Sequence, residues 1–141
     1  MYFDYKLSFR PHAQLLATKA LWIGNALKSL GKTTHGIAPI LLQRAVTACV
    51  LRVAYFAAET WWPGRSCKSG SSRISNCIEA HLHLFDKVTY SSARAILPVY
   101  CTTLTLALLK ESGILLAKIE LDKLLCTFVA YIAYLDLYYP L

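Results

Sequence analysis

Residues 12–30 read HAQLLATKALWIGNALKSL and carry an apolar side chain at every third or fourth position of one series. The positions of that series are Leu16, Ala20, Ile23, Leu27 and Leu30. Because an α-helix turns once in about 3.6 residues, these side chains share one face, and the spacing predicts a helix with one buried side. Pro11 suits the first turn of that helix, and Gly31 suits its end.

A second apolar series follows Pro39 and extends to about Thr60, where Pro63 and Gly64 should end the helix. Its predicted buried positions are Leu42, Val46, Cys49, Val53 and Phe56. Three further helices are predicted, over residues 76–97, 103–112 and 118–135. The segment Tyr2–Ser8 is the one strand candidate, and it is short. The chain is therefore predicted to be all-α, an irregular bundle of about five helices with one candidate for a short N-terminal strand.

Residues 63–75 read PGRSCKSGSSRIS and show no apolar periodicity. This mixture of serine, glycine and basic residues is typical of a flexible loop. The loop separates a basic N-terminal helical part, residues 1–62, from a C-terminal helical part, residues 76–141. A length of 141 residues suits one domain with its own core, so the two parts are expected to form a single domain.

Positive charge is concentrated in the first half of the chain. Residues 1–75 contain ten Lys or Arg and two acids, whereas residues 76–141 contain five and six. A basic half suits a polyanion, either nucleic acid or an anionic membrane surface, although a solvated basic face has the same composition. The candidate phosphate-contacting residues, chosen by charge, are Lys6, Arg10, Lys19, Lys28, Lys32, Arg44, Arg52, Arg65, Lys68 and Arg73.

The chain is more apolar than an ordinary globular protein, with 56% hydrophobic and 16% charged residues. This composition excludes wholesale disorder and predicts either an unusually apolar surface or a surface that another molecule covers. The first residues include Asp4 and lack the apolar core of a signal peptide. The stretch 37–58 is long enough to span a membrane but contains Gln43, Arg44 and Arg52. An intracellular location, nuclear or cytoplasmic, is expected, with no transmembrane helix. Five scattered cysteines without a CxxC pair agree with a reducing compartment.

The sequence contains no arrangement typical of a catalytic or metal site. His81 and His83 are two residues apart, so on a helix they point in different directions and do not converge on a metal. GxSxG, GxGxxG and GxxxxGKS/T motifs do not occur. The eight acids include no adjacent pair, whereas two-metal chemistry needs clustered carboxylates. We therefore expect no enzymatic activity, no cofactor, no metal and no small-molecule substrate.

The string Trp61-Trp62-Pro63-Gly64-Arg65 allows two interpretations. Two adjacent indoles at a helix end could stack on bases while Arg65 and nearby cations hold phosphates. Alternatively, an indole could anchor the helix end in the core.

Four separated strings, in one order along the chain, resemble a single family. They comprise residues 3–4, 6–9 and 11–12, residues 57–65, residues 93–100 with 102–103 and 110–113, and residues 135–136 with 138 and 140–141. They resemble the region that follows the catalytic palm in LINE-type (non-LTR) retrotransposon reverse transcriptases, especially fungal ones. The resemblance implies a helical thumb that follows a primer–template duplex along its backbone. It also implies that the polymerase and RNase H carboxylates lie outside this stretch, which would make it a non-catalytic fragment that binds RNA–DNA hybrid or duplex weakly and without sequence preference.

The sequence departs from the family at several positions. The family usually has Arg at Cys101, Pro at Leu104 and Leu137, and His at Tyr139. Each of these changes corresponds to one C-to-T transition in a codon, as expected for a decayed copy of a silenced repeat. Two further interpretations remain open. One is an effector-like interaction protein, co-opted from a truncated retrotransposon frame to bind an unidentified protein, and the other is a peripheral membrane binder. Self-association is expected, because helices that would pack against a palm are left uncovered.

Overall fold

A computed structural model describes residues 9–31, 36–62, 64, 76–97 and 99–138. The elements in chain order are α1 (Arg10–Lys28), α2 (Pro39–Ala45), a π-helical segment (Val46–Leu51), α3 (Arg52–Ala54), α4 (Ala58–Trp61), α5 (Asn76–Ile96), α6 (Thr105–Ser112) and α7 (Ala117–Tyr138). None of the described residues is in a strand, and the predicted all-α bundle is confirmed. The strand candidate Tyr2–Ser8 lies outside the described residues, as does the predicted loop 63–75 apart from Gly64.

The centre of the bundle is the packing of α1 along α5. Small residues on α1 allow the two helices to approach closely, and Ala13, Ala17 and Ala20 are almost fully buried. The facing side of α5 buries Phe85 and Val88. One hydrophobic cluster includes buried residues from both sides of residues 63–75, so the two helical parts share one core.

The second predicted helix is not continuous. It begins at Pro39 as predicted but changes to π-helix over Val46–Leu51, and it breaks before α4, where Ala57 has φ 54°. Its fully buried side chains are Leu42, Val46, Val50 and Ala54, so the predicted burial of Cys49 and Phe56 is wrong. A spacing of four drifts by about 40° per step around an α-helix. The wider turn of a π-helix reduces that drift, so the side chains of this series all continue to face the core.

The stretch Pro39–Trp61 is, among the described residues, the one helical stretch long and apolar enough to cross a membrane, with a mean hydropathy of 1.5. Length and composition alone are weak evidence, because a core helix of a globular protein has the same properties. Here 33% of the apolar window is buried inside the bundle. The stretch also carries exposed Arg44 and Arg52, and the backbone break at Ala57 interrupts it.

The last helix, α7, has one packed half and one exposed half. Its first residue, Ala117, donates its backbone N–H to the Asp86 carboxylate of α5. Ala117 and Leu121 are buried against the rest of the bundle. From Cys126 to Tyr134 every residue is exposed, and we call this segment the exposed end of α7. Its apolar members Phe128, Val129, Tyr131 and Ile132 are 39–59% exposed.

We expect the chain to self-associate through the exposed end of α7, because this segment is apolar and carries no charge to oppose pairing. Replacing Val129 and Ile132 with Lys should shift the protein toward monomer. Light scattering coupled to gel filtration measures the change, with Ile40→Lys and Leu41→Lys, two exposed apolar positions on α2, as the matched control. A wild-type monomer at high concentration would contradict this prediction.

Candidate nucleic-acid interface

The structure describes half of the basic residues predicted to contact phosphate. These are Arg10, Lys19, Lys28, Arg44 and Arg52, and all five are exposed. The remaining candidates, which lie outside the described residues, are Lys6, Lys32, Arg65, Lys68 and Arg73. The fold brings Lys19 and Arg52 to one groove and Lys28 to another. Arg10 begins α1 and Arg44 lies in the last turn of α2.

The groove that contains Lys19 and Arg52 has a volume of about 920 Å³ and mostly apolar walls. We call it the aromatic groove, and its lining residues are Leu16, Thr18, Lys19, Trp22, Ile23, Arg52, Val53 and Phe56. Trp22 is 75% exposed and Phe56 is 59% exposed. Two aromatic rings are thus available to a ligand beside two cations.

Helix geometry explains why these side chains meet. Lys19, Trp22 and Ile23 are three and four residues apart on α1, which places them on one face of that helix. Phe56 follows α3, at the point where the helix breaks. The backbone carbonyl of Phe56 accepts a hydrogen bond from Trp61 Nε1 at 3.2 Å. A core indole therefore holds the Phe56 backbone while the phenyl ring stays exposed in the groove.

Trp61 and Trp62 belong to the core. They are 6% and 3% exposed, and their rings meet edge to face with centroids 6.4 Å apart. Trp61 stacks on Phe85 at 5.3 Å, and Trp62 Nε1 donates to Asp122 Oδ1 at 3.0 Å. This burial favours the interpretation in which an indole anchors the helix end over the one in which these rings stack on bases. The exposed indole is that of Trp22.

His81 is a core histidine in this fold. Its side chain is 5% exposed, and its ring lies edge to face against Trp61 with centroids 6.3 Å apart. Burial lowers the pKa of His81, and the nearby Arg10 guanidinium lowers it further. His83, two residues later, is exposed and lines the groove that also contains Lys28. Within the described ranges, no three His, Cys, Asp or Glu side chains form a group that could hold a metal ion.

No family model, curated protein or solved structure matches the chain. The functional argument therefore depends on the surface itself. The aromatic groove is suited to binding, since it combines ring faces, aliphatic walls and two basic side chains.

Proposed function

We propose that this chain is a non-catalytic, sequence-independent nucleic-acid backbone binder, of the kind implied by its resemblance to the thumb of LINE-type reverse transcriptases. The aromatic groove is the observation that carries the proposal. Exposed Trp22 and Phe56 share it with Lys19 and Arg52. Aromatic rings stack on any base, and Lys or Arg binds phosphate without regard to sequence.

Each residue type in the aromatic groove would have a separate role in binding. Stacking on Trp22 or Phe56 would contribute about 1–3 kcal/mol per base. Lys19 and Arg52 would neutralise neighbouring phosphates and release counterions. Since a base inside a duplex does not expose its face, the groove favours unpaired nucleotides. Exposed Arg10 and the other basic residues suit the backbone of a duplex or an RNA–DNA hybrid.

Salt-dependent titration of labelled oligonucleotides tests this proposal. Fluorescence anisotropy with an oligothymidylate strand, a DNA duplex and an RNA–DNA hybrid would give log–log plots of binding constant against salt. The double replacement Lys19→Ala and Arg52→Ala should reduce the magnitude of the slope by about 1.4 on the single strand, at about 0.7 per phosphate contact. Trp22→Ala should weaken single-strand binding by about fivefold or more and leave the slope unchanged.

The matched control replaces two exposed lysines away from the groove, Lys110 and Lys123, with Ala. It removes the same net charge as the groove double variant. If both double variants change the slope equally, the binding is diffuse and the groove is not the site. If none of the three nucleic acids binds at low salt, the nucleic-acid role is wrong.

A second candidate function is a protein-interaction role, favoured by the apolar, exposed end of α7. A membrane-surface role is the third, since exposed aromatic rings beside cations also suit an anionic bilayer. Flotation with anionic vesicles distinguishes the membrane role, and a protein complex that survives high salt distinguishes the interaction role. We propose an intracellular location for all three.

A further inference from the structure

A second groove lies where the last turn of α1 approaches α5, and most of its lining side chains are polar. Its volume of about 730 Å³ falls within the roughly 300–1,000 Å³ typical of ligand sites. We call it the polar groove, and its principal side chains are Lys28, His83, Asp86, Lys87, Tyr90 and Arg94. The α5 residues recur three and four positions apart, which places them on one face of the helix.

The groove carries a net positive charge. Lys28, Lys87 and Arg94 contribute three cations, and Asp86 is the one acid among its lining residues. Asp86 is engaged elsewhere, because its carboxylate accepts the Ala117 backbone N–H at the start of α7. Burial raises the pKa of Asp86, and the Ala117 N–H, His83 and Lys118 partly offset that rise. An anion entering the groove would therefore meet more positive than negative potential.

Arg94 provides a donor for which the described residues supply no acceptor. Its Nη2 donates to the backbone oxygen of Cys101 at 3.1 Å, which fixes the guanidinium. Its Nε is buried and has no hydrogen-bond partner within the described part of the chain. A buried donor without an acceptor is costly, and an anionic oxygen is the partner that a guanidinium prefers. The hydroxyl of Tyr90, in the same groove, is a further possible donor.

We propose that the polar groove binds a phosphate group, with Lys28, Lys87 and Arg94 as its cationic contacts. Two sources of phosphate share this chemistry, a free phosphate-bearing small molecule and the backbone of a nucleic acid. The face from His83 to Arg94 is about 16 Å long at 1.5 Å per residue, so it can accommodate more than one linked phosphate. This site is separate from the aromatic groove and does not depend on it.

Titration with inorganic pyrophosphate and with an oligothymidylate strand tests the proposal in the full chain. Calorimetry at low ionic strength measures affinity, and amide chemical shifts along α5 report where the probe binds. Replacing the exposed residues Lys28 and Lys87 with Ala should weaken binding about tenfold or more, because each removed cation is a charge-assisted contact. Lys110→Ala with Lys123→Ala, two exposed lysines outside both grooves, is the matched control and should leave binding of both probes unchanged.

Arg94→Lys provides an independent measurement, because it keeps the charge but removes the planar guanidinium donors. It should weaken binding of the same probe in a protein with unchanged circular dichroism. Pyrophosphate binding that is lost in the Lys28 and Lys87 variant identifies a free phosphate ligand. Oligonucleotide binding alone, lost in the same variant, identifies a nucleic-acid backbone. If neither probe distinguishes this variant from the Lys110 and Lys123 control, the proposed site is wrong, whatever the outcome for the aromatic groove.

Discussion

Replacing Trp61 with Ala is expected to lower the free energy of unfolding by about 3–5 kcal/mol. The Trp61 side chain is 6% exposed, and its ring packs on Phe85, Trp62 and His81. Removing it leaves a cavity that rigid helices cannot close. Because small domains are stable by only about 5–15 kcal/mol, the variant should be close to unfolding at room temperature.

Trp22→Ala is the matched control for this substitution. It removes the same indole from a site that is 75% exposed, so the expected loss is below about 0.5 kcal/mol. Urea unfolding followed by circular dichroism measures both variants without depending on tryptophan fluorescence. Equal losses in the two variants would contradict the described core. A stable Trp61→Ala protein that fails to bind nucleic acid would restore the stacking interpretation of Trp61.

Acidification below about pH 6.5, the ordinary histidine pKa, is expected to destabilise the fold. His12 and His81 are 3% and 5% exposed, and burial lowers the pKa of both imidazoles. Just below pH 6.5 these two histidines are therefore protonated in the unfolded chain but still neutral in the folded chain. The free energy of unfolding should fall from about pH 6.5 down to the depressed folded pKa values, by about 1.4 kcal/mol for each unit of depression.

Urea unfolding at a series of pH values from neutral to mildly acidic measures this loss. His81→Leu should flatten the pH dependence, because it removes one buried base whose Nε2 has no partner among the residues that the structure describes. His83→Leu, which changes an exposed histidine two residues away, is the matched control. Asp86 acts in the opposite direction at lower pH, since burial raises its pKa and protonation then favours the fold. A wild-type stability that is independent of pH in this range would contradict the prediction.

Local signals in the sequence predict most of the helices well. Pro11 lies in the first turn of α1, and Gly113 ends α6 with φ 67°, as glycine allows. The second helix shows where such signals are insufficient. The series that continues from Val46 to Cys49 and Val53 is an equally good helical pattern, but tertiary packing selects Val50 and Ala54. That choice requires a π-helical segment, which a fixed period of 3.6 residues does not predict.

The candidate sites are less predictable than the helices. Lys19 and Arg52 can be predicted as phosphate contacts from their charge. Trp22 cannot be predicted in the same way, because it lies outside the apolar stripe of its helix. Its groove forms only when α1 packs against the segment after Val50. Lys87 and Arg94 lie in the half of the chain whose net charge is slightly negative. The net charge of that half therefore gives no indication of a basic site. The polar groove exists because folding brings Lys28 alongside one face of α5.

The two halves of α7 imply a gradient of local stability along a single helix. Its first turn is tied to α5 through Asp86 and to the core through Leu121, so those amides should open only with most of the protein. Beyond Cys126 the helix has few buried contacts, and its hydrogen bonds can open by local fraying. Amide hydrogen exchange should therefore become faster from one end of α7 to the other. A partner that binds the last turns would be visible as slowed exchange there, even where it changes no coordinate of the fold.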